Sequence, residues 1–126
     1  MKTIVAMLAA AGLTLTATSV WAGGAGSGAF AGASGHSAQG GVEVVETADG
    51  WEIRLGASFR FDGAPDPRVG FGRAGAFVSP TDFEPFRTDS GAQVYKVPAS
   101  IDPTEFDEVY IWCRQYSVPL GMAKIE

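Results

Sequence analysis

Hydrophobic and polar positions alternate with a period of two along much of the chain, and no stretch sustains a 3.6-residue period over three turns. The clearest local pattern is a pair of β-type runs, Val42–Ala48 and Trp51–Leu55, separated by Asp49-Gly50, a two-residue hairpin turn. Pairing the runs about that turn puts Val42, Val44, Trp51, Ile53 and Leu55 on one face. Glu43, Thr47, Glu52 and Arg54 fall on the other, as an antiparallel sheet buried on one side requires.

Further short strands are predicted at Ser58–Phe61, at Arg68–Gly72 with Val69 and Phe71 inward, at Val94–Val97, at Val109–Arg114 and at Val118–Ile125. Asp62-Gly63-Ala64-Pro65-Asp66-Pro67 is turn chemistry throughout, because both prolines fix φ and forbid a central strand. Residues 73–92 show no clean period and are broken by Pro80 and Pro85. Asp102-Pro103-Thr104-Glu105 combines an N-cap, a proline at the first position and a glutamate at the third, which predicts one helical turn. Gly23–Gly41 is rich in Gly, Ala and Ser and reads as a flexible entry followed by one short strand around Phe30. The expected fold is therefore all-β, a single antiparallel β-sandwich or flattened barrel of seven to eight short strands.

The N-terminal stretch carries a different pattern. Lys2 supplies a positive end, Ile4–Leu15 an apolar run and Val20-Trp21-Ala22 a small-residue cleavage site, so residues 1–22 read as a secretory signal peptide. An uncleaved anchor is the competing reading, opposed by Thr14, Thr16, Thr18 and Ser19 within the run. Cleavage leaves residues 23–126 as one domain, expected in the periplasm or outside the cell, without stable membrane insertion. The chain of 126 residues has 9 Lys+Arg against 14 Asp+Glu, a formal net charge of −5. No basic cluster offsets that charge, which excludes nucleic acid as a partner.

Candidate chemistry is narrowed by two counts, one Cys and one His. No internal disulfide, no cysteine zinc cluster and no two-imidazole metal site can be built from them, and a mononuclear copper site wants two His beside the Cys. Gly26-Ser27-Gly28 lacks the strand and helix that a dinucleotide loop needs. Ser34 and Ser37 flank His36 without a Gly-x-Ser-x-Gly elbow, and the acidic residues follow no calcium-loop spacing. His36, in a loop between glycines, reads as a surface or hydrogen-bonded strut, with ligand or proton-transfer roles as the alternatives. Cys113 is sharper. Period two puts it with Val109 and Ile111 on one face of its strand, with Tyr110, Trp112 and Arg114 opposite, where Arg114 could stack on an indole. A small core hydrophobe, a redox or cofactor-ligating thiol and an intermolecular disulfide are all open readings of it.

The order of motifs adds to this. Gly28-Ala29-Phe30, Ser34-Gly35-His36, Gly41-Val42-Glu43-Val44, Asp62-Gly63-Ala64-Pro65-Asp66-Pro67, Gly91-Ala92-Gln93-Val94-Tyr95, Val109-Tyr110-Ile111-Trp112-Cys113 and Gly121-Met122-Ala123 succeed one another from about Gly26 to the C-terminus. In that order the chain resembles the DM13 domain family of proposed extracytoplasmic electron-transfer domains; Ala64 stands where a Gly is expected before Pro-Asp. The resemblance implies an all-β fold and a redox-candidate cysteine, which falls on Cys113, acting as a bare thiol or as ligand to a group such as haem. His36, a candidate from the residues themselves, is the second expected cofactor ligand. It implies an electron-transfer or binding domain rather than an enzyme with its own substrate, its redox partner being another protein or a small molecule. The rival expectation is a non-catalytic extracytoplasmic interaction module with Cys113 as core filler.

Protein recovered from the extracytoplasmic fraction should have an intact mass lacking residues 1–22. A full-length mass in the membrane pellet would overturn the signal-peptide reading.

Overall fold

The computed structural model describes residues 24–126; the predicted signal over residues 1–22 lies outside them. The described chain is almost entirely β-structure. Its strands are β1 (Gly24–Gly32), β2 (Ala38–Gln39), β3 (Gly41–Thr47), β4 (Gly50–Leu55), β5 (Arg60–Phe61), β6 (Pro67–Arg73), β7 (Ala76–Phe77), β8 (Glu84–Pro85), β9 (Gln93–Lys96), β10 (Glu108–Cys113) and β11 (Val118–Lys124). Seven of these have four or more residues, in line with the expected number of strands. One antiparallel sheet runs in the order β7-β6-β10-β11-β1-β3-β4-β9, with β8 also on β6, and β2 pairs with β5 in a separate ribbon. The sheet curls into a half-barrel around the core, which matches the expected flattened barrel.

The alternation read from the sequence is what closes that core. Val42, Val44, Ile53, Leu55, Val69, Phe71, Val109, Ile111 and Leu120 are all buried, together with Phe59 and Tyr95. Fully burying a side chain of this size is worth about 1.5–3 kcal/mol, so these inward positions dominate the stability. The hairpin forms as expected, with one adjustment. Thr47 pairs with Gly50, so the two-residue loop is Ala48-Asp49 rather than Asp49-Gly50. Gly50 opens β4 at φ 118°, a conformation that glycine adopts without steric cost. Thr47 fastens the turn, its hydroxyl donating to the Gly50 carbonyl (2.9 Å) and accepting from the Asp49 amide (3.1 Å). The register moves by two residues, so every side chain keeps its predicted face.

The entry segment differs from expectation. Residues 24–32 form a nine-residue strand in the middle of the sheet, paired with β3 on one edge and β11 on the other. Its glycines give it little side-chain pattern, but they permit close backbone approach: a Cβ on Gly28 would lie 1.9 Å from the Lys124 carbonyl oxygen. The predicted helical turn is present as a single 3-10 turn, Pro103–Glu105, with the Asp102 carboxylate accepting from the Thr104 amide. Within the aperiodic stretch, residues 73–82 run back over the outer face of β6 and β10, and Phe83 and Phe86 then turn in against the core. Thr81 there is buried, its hydroxyl accepting from the Phe71 amide (3.0 Å) and close enough to donate to the Phe71 or Val78 carbonyl.

Gly28→Ala should destabilise the fold by about 1–3 kcal/mol, because the backbone it meets cannot rotate away. At Gly41, where the nearest atom to an added Cβ is 3.9 Å away, alanine should be neutral within about 0.5 kcal/mol. Urea unfolding of the two variants checks this, and equal midpoints would contradict the close packing of β1.

Candidate functional site

Strand β10 lies between β6 and β11, paired along its length with both. Its side chains therefore alternate strictly between the core and the outer face. Val109, Ile111 and Cys113 point inward, as the sequence pattern predicts. Cys113 is 1% exposed and has Pro67 and Val118 as its cross-strand neighbours. Its thiol donates to the Pro65 carbonyl oxygen at 3.2 Å. The 62–67 turn, legible from its two prolines, thus closes over the sulfur.

That turn is held at both ends. At the first, Asp62 Oδ1 accepts from His36 Nδ1 (2.9 Å) and Oδ2 accepts from the Ser37 amide (3.1 Å), while the Asp62 amide donates to the Ser37 carbonyl. A carboxylate only accepts, so Nδ1 carries the proton of this pair. The His36 hydrogen bond and then the Ser37 amide hold the Asp62 carboxyl below the usual aspartate range. At the second end, Asp66 has φ 52°, accepts from Arg68 Nε (2.8 Å) and offers its carbonyl to the Arg114 amide (3.2 Å).

The two site residues picked from the sequence are therefore connected through one turn. Among the described residues no hydrogen bond joins His36 to Cys113. His36 is half-buried against Phe61, with ring centroids 5.9 Å apart. Arg114 does not stack on an indole: its guanidinium binds Asp82, Nε to Oδ2 and Nη2 to the carbonyl, both at 2.8 Å. Asp82 lies in the aperiodic segment 32 residues away, so no local pattern could have pointed to it.

The geometry does not fit a haem on Cys113, because the sulfur is enclosed by Pro65, Pro67 and Val118. Among the described residues no three His, Cys, Asp or Glu side chains gather in a metal-binding group.

The outer face of β10 carries Glu108, Tyr110 and Trp112. The sequence assigned Tyr110 and Trp112 to this face but not the depth of cover there: Tyr110 is 4% exposed and Glu108 3%. Phe77, from β7, stacks flat on Trp112 with centroids 4.0 Å apart and an interplanar angle of 8°. Burial first, and then the Glu108 carboxylate, push the Tyr110 phenol up to about 12.

A small all-β domain with one enclosed thiol and an aromatic-lined central strand is the class of protein that fold and site define. The chain belongs to the electron transfer DM13 family, whose model matches residues 29–125. A general electron-transfer role comes with that membership. No curated protein and no solved structure matches the chain.

Because the folded-state pKa of Asp62 is depressed, the carboxylate adds stability at pH values above its unfolded pKa. That contribution is lost as the pH falls through the folded-state value. Asp62→Asn should therefore be less stable than wild type near neutral pH, with the gap closing in acid. Urea midpoints across that range test this, and a pH-independent gap would contradict it.

Proposed function

We propose that this domain transfers electrons outside the cytoplasm through the Cys113 thiol, which stays behind the 62–67 turn until the turn lifts. The contact between that thiol and the Pro65 carbonyl, under a turn pinned by His36, carries the reading. A sulfur enclosed in this way cannot meet another sulfur, so thiol–disulfide exchange is blocked while the turn is closed. In an oxidising compartment, which the pattern of residues 1–22 supports, such a cover keeps a lone thiol from uncontrolled oxidation. With the turn lifted, the thiol gives one electron to a partner's one-electron acceptor and its proton to water, leaving a thiyl radical. Return of both restores the thiol. His36 enters as the latch on Asp62, one step removed from the sulfur.

A second reading is supported by the burial of Cys113 in the same cluster as Val109 and Ile111. Here the cysteine only fills the core and the domain binds a ligand or protein elsewhere. A cleft of about 410 Å³ between Asp49, Trp51, Val97, Pro98, Ile101 and Asp102 provides a place for it.

Thiol labelling under native conditions separates the two. If the turn is a gate, Cys113 reacts without global unfolding, and His36→Ala speeds the reaction roughly two- to fivefold, the scale of an exposed pair. Cys113→Ala then keeps the fold, at a cost of about 1 kcal/mol, and loses electron exchange. Labelling that needs global unfolding and ignores His36→Ala would leave the core-filler reading.

A further inference from the structure

Strand β10 has a second set of groups that the Cys113 reading does not use. Glu108 is a buried carboxylate, and among the described residues it takes part in no ion pair; the nearby Lys124 ammonium goes to Asp107 (3.2 Å). Its Oε2 accepts from the Gly75 amide (2.7 Å) and its Oε1 accepts from the Tyr110 hydroxyl (3.2 Å). Around the phenol stand two more rings. Tyr110 meets Phe77 edge-on at 5.8 Å and Trp112 edge-on at 6.5 Å, while Phe77 and Trp112 are stacked on each other. Trp112 is half-buried, so this group of π-systems reaches from the buried phenol to the surface.

The other two tyrosines lack this setting. The Tyr95 hydroxyl donates to the neutral amide oxygen of Gln93 and accepts from the Arg87 amide. Tyr116 is 62% exposed, and its hydroxyl accepts from Gln115. Only Tyr110 donates to a carboxylate. Its phenol holds its proton up to about 12, so the proton does not leave by itself at neutral pH. Oxidation makes a phenol strongly acidic, and a base already in hydrogen-bond contact can then take the proton without waiting for solvent. The transfer also removes a negative charge from a buried site, where an unpaired charge is costly.

We infer that Tyr110 is an oxidisable tyrosine with Glu108 as its built-in proton acceptor, and that Trp112 and Phe77 are its electronic route to the surface. In the step, the Tyr110 O–H bond breaks and an O–H bond forms on Glu108 Oε1. One electron passes by way of Trp112 to a one-electron metal-complex oxidant, which is reduced by one. The product is a neutral phenoxyl radical beside a neutral carboxylic acid, and re-reduction returns both electron and proton. This inference rests on the family's electron-transfer role and is independent of Cys113.

The test uses the purified protein with photo-oxidised tris(bipyridine)ruthenium, freeze-trapping and electron paramagnetic resonance. A tyrosyl signal is expected in the wild type and in Tyr95→Phe, Tyr116→Phe and Cys113→Ser. It should vanish in Tyr110→Phe and fall about tenfold or more in Glu108→Gln, the scale of lost base catalysis. Circular dichroism and melting confirm that each variant is folded. If Glu108→Gln fails to fold, comparison of Tyr110→Phe with Tyr116→Phe decides. A signal that survives Tyr110→Phe and disappears in Tyr116→Phe would overturn the inference. Undiminished yield in folded Glu108→Gln would reduce Glu108 to a strut for Gly75, and loss in Cys113→Ser would make the thiol the source of the radical; either result also overturns it.

Discussion

Double-sided pairing of β10 is the constraint on which the rest of the site depends. With β6 along one edge and β11 along the other, the latter pairing broken only by a register shift between Ile111 and Trp112, each side chain takes the face that its position dictates. Cys113 goes into the core because Val109 and Ile111 do. Glu108, Tyr110 and Trp112 go outward together for the same reason. Adjacent residues, Trp112 and Cys113, thus present an indole and a thiol to opposite sides of one sheet. The two chemistries are neighbours through covalent bonds and strangers through space.

Each face is then finished by a segment that is not part of a long strand. Inside, the 62–67 turn sets a carbonyl on the sulfur and ties its own ends to His36, Ser37, Arg68 and the Arg114 amide. Outside, residues 73–82 lay Phe77 over Trp112, offer the Gly75 amide to Glu108 and supply Asp82 to Arg114. The sheet fixes direction, and these covers fix exposure. A group's reactivity in this domain is set by its lid more than by its strand.

That division also explains what could be read from the residues alone. Alternation carries direction, so the β3–β4 hairpin, the inward set on β6 and the split of β10 were all legible. Asp102-Pro103 announced its single turn because capping is local chemistry. Strand β1 was not legible as a long strand: its glycines have no side chains to alternate, and its place in the sheet comes from backbone contacts with segments far along the chain. The two-residue strands are too short to have a period. At the site, the identity of Cys113 and His36 as candidates was available, but their joint attachment to one turn was not, because it depends on contacts spanning 26 and 48 residues. The burial of Tyr110 was hidden for the same reason. Nothing within its own strand says that Phe77 will lie over it.

Strand β1 pairs through its second half with β11, and Ser27 exchanges backbone hydrogen bonds with Glu126 in both directions. The first strand of the sheet therefore needs the last one as its neighbour. A chain emerging from the ribosome or from a translocation pore can form the β3–β4 hairpin early, since that contact is local. It cannot seat β1 between its two neighbours until residue 126 is free. Contacts of such long sequence separation close slowly, because the intervening loop entropy is lost before the pairing repays it. Strand β3 can already pair with β1 by then, but the β1 edge that β11 will cover stands open and is able to pair with a strand from another molecule. The contact between the glycine-rich strand and β11 is thus the seam of the sheet, and the interval before that seam is sewn is when the domain is most open to misassembly.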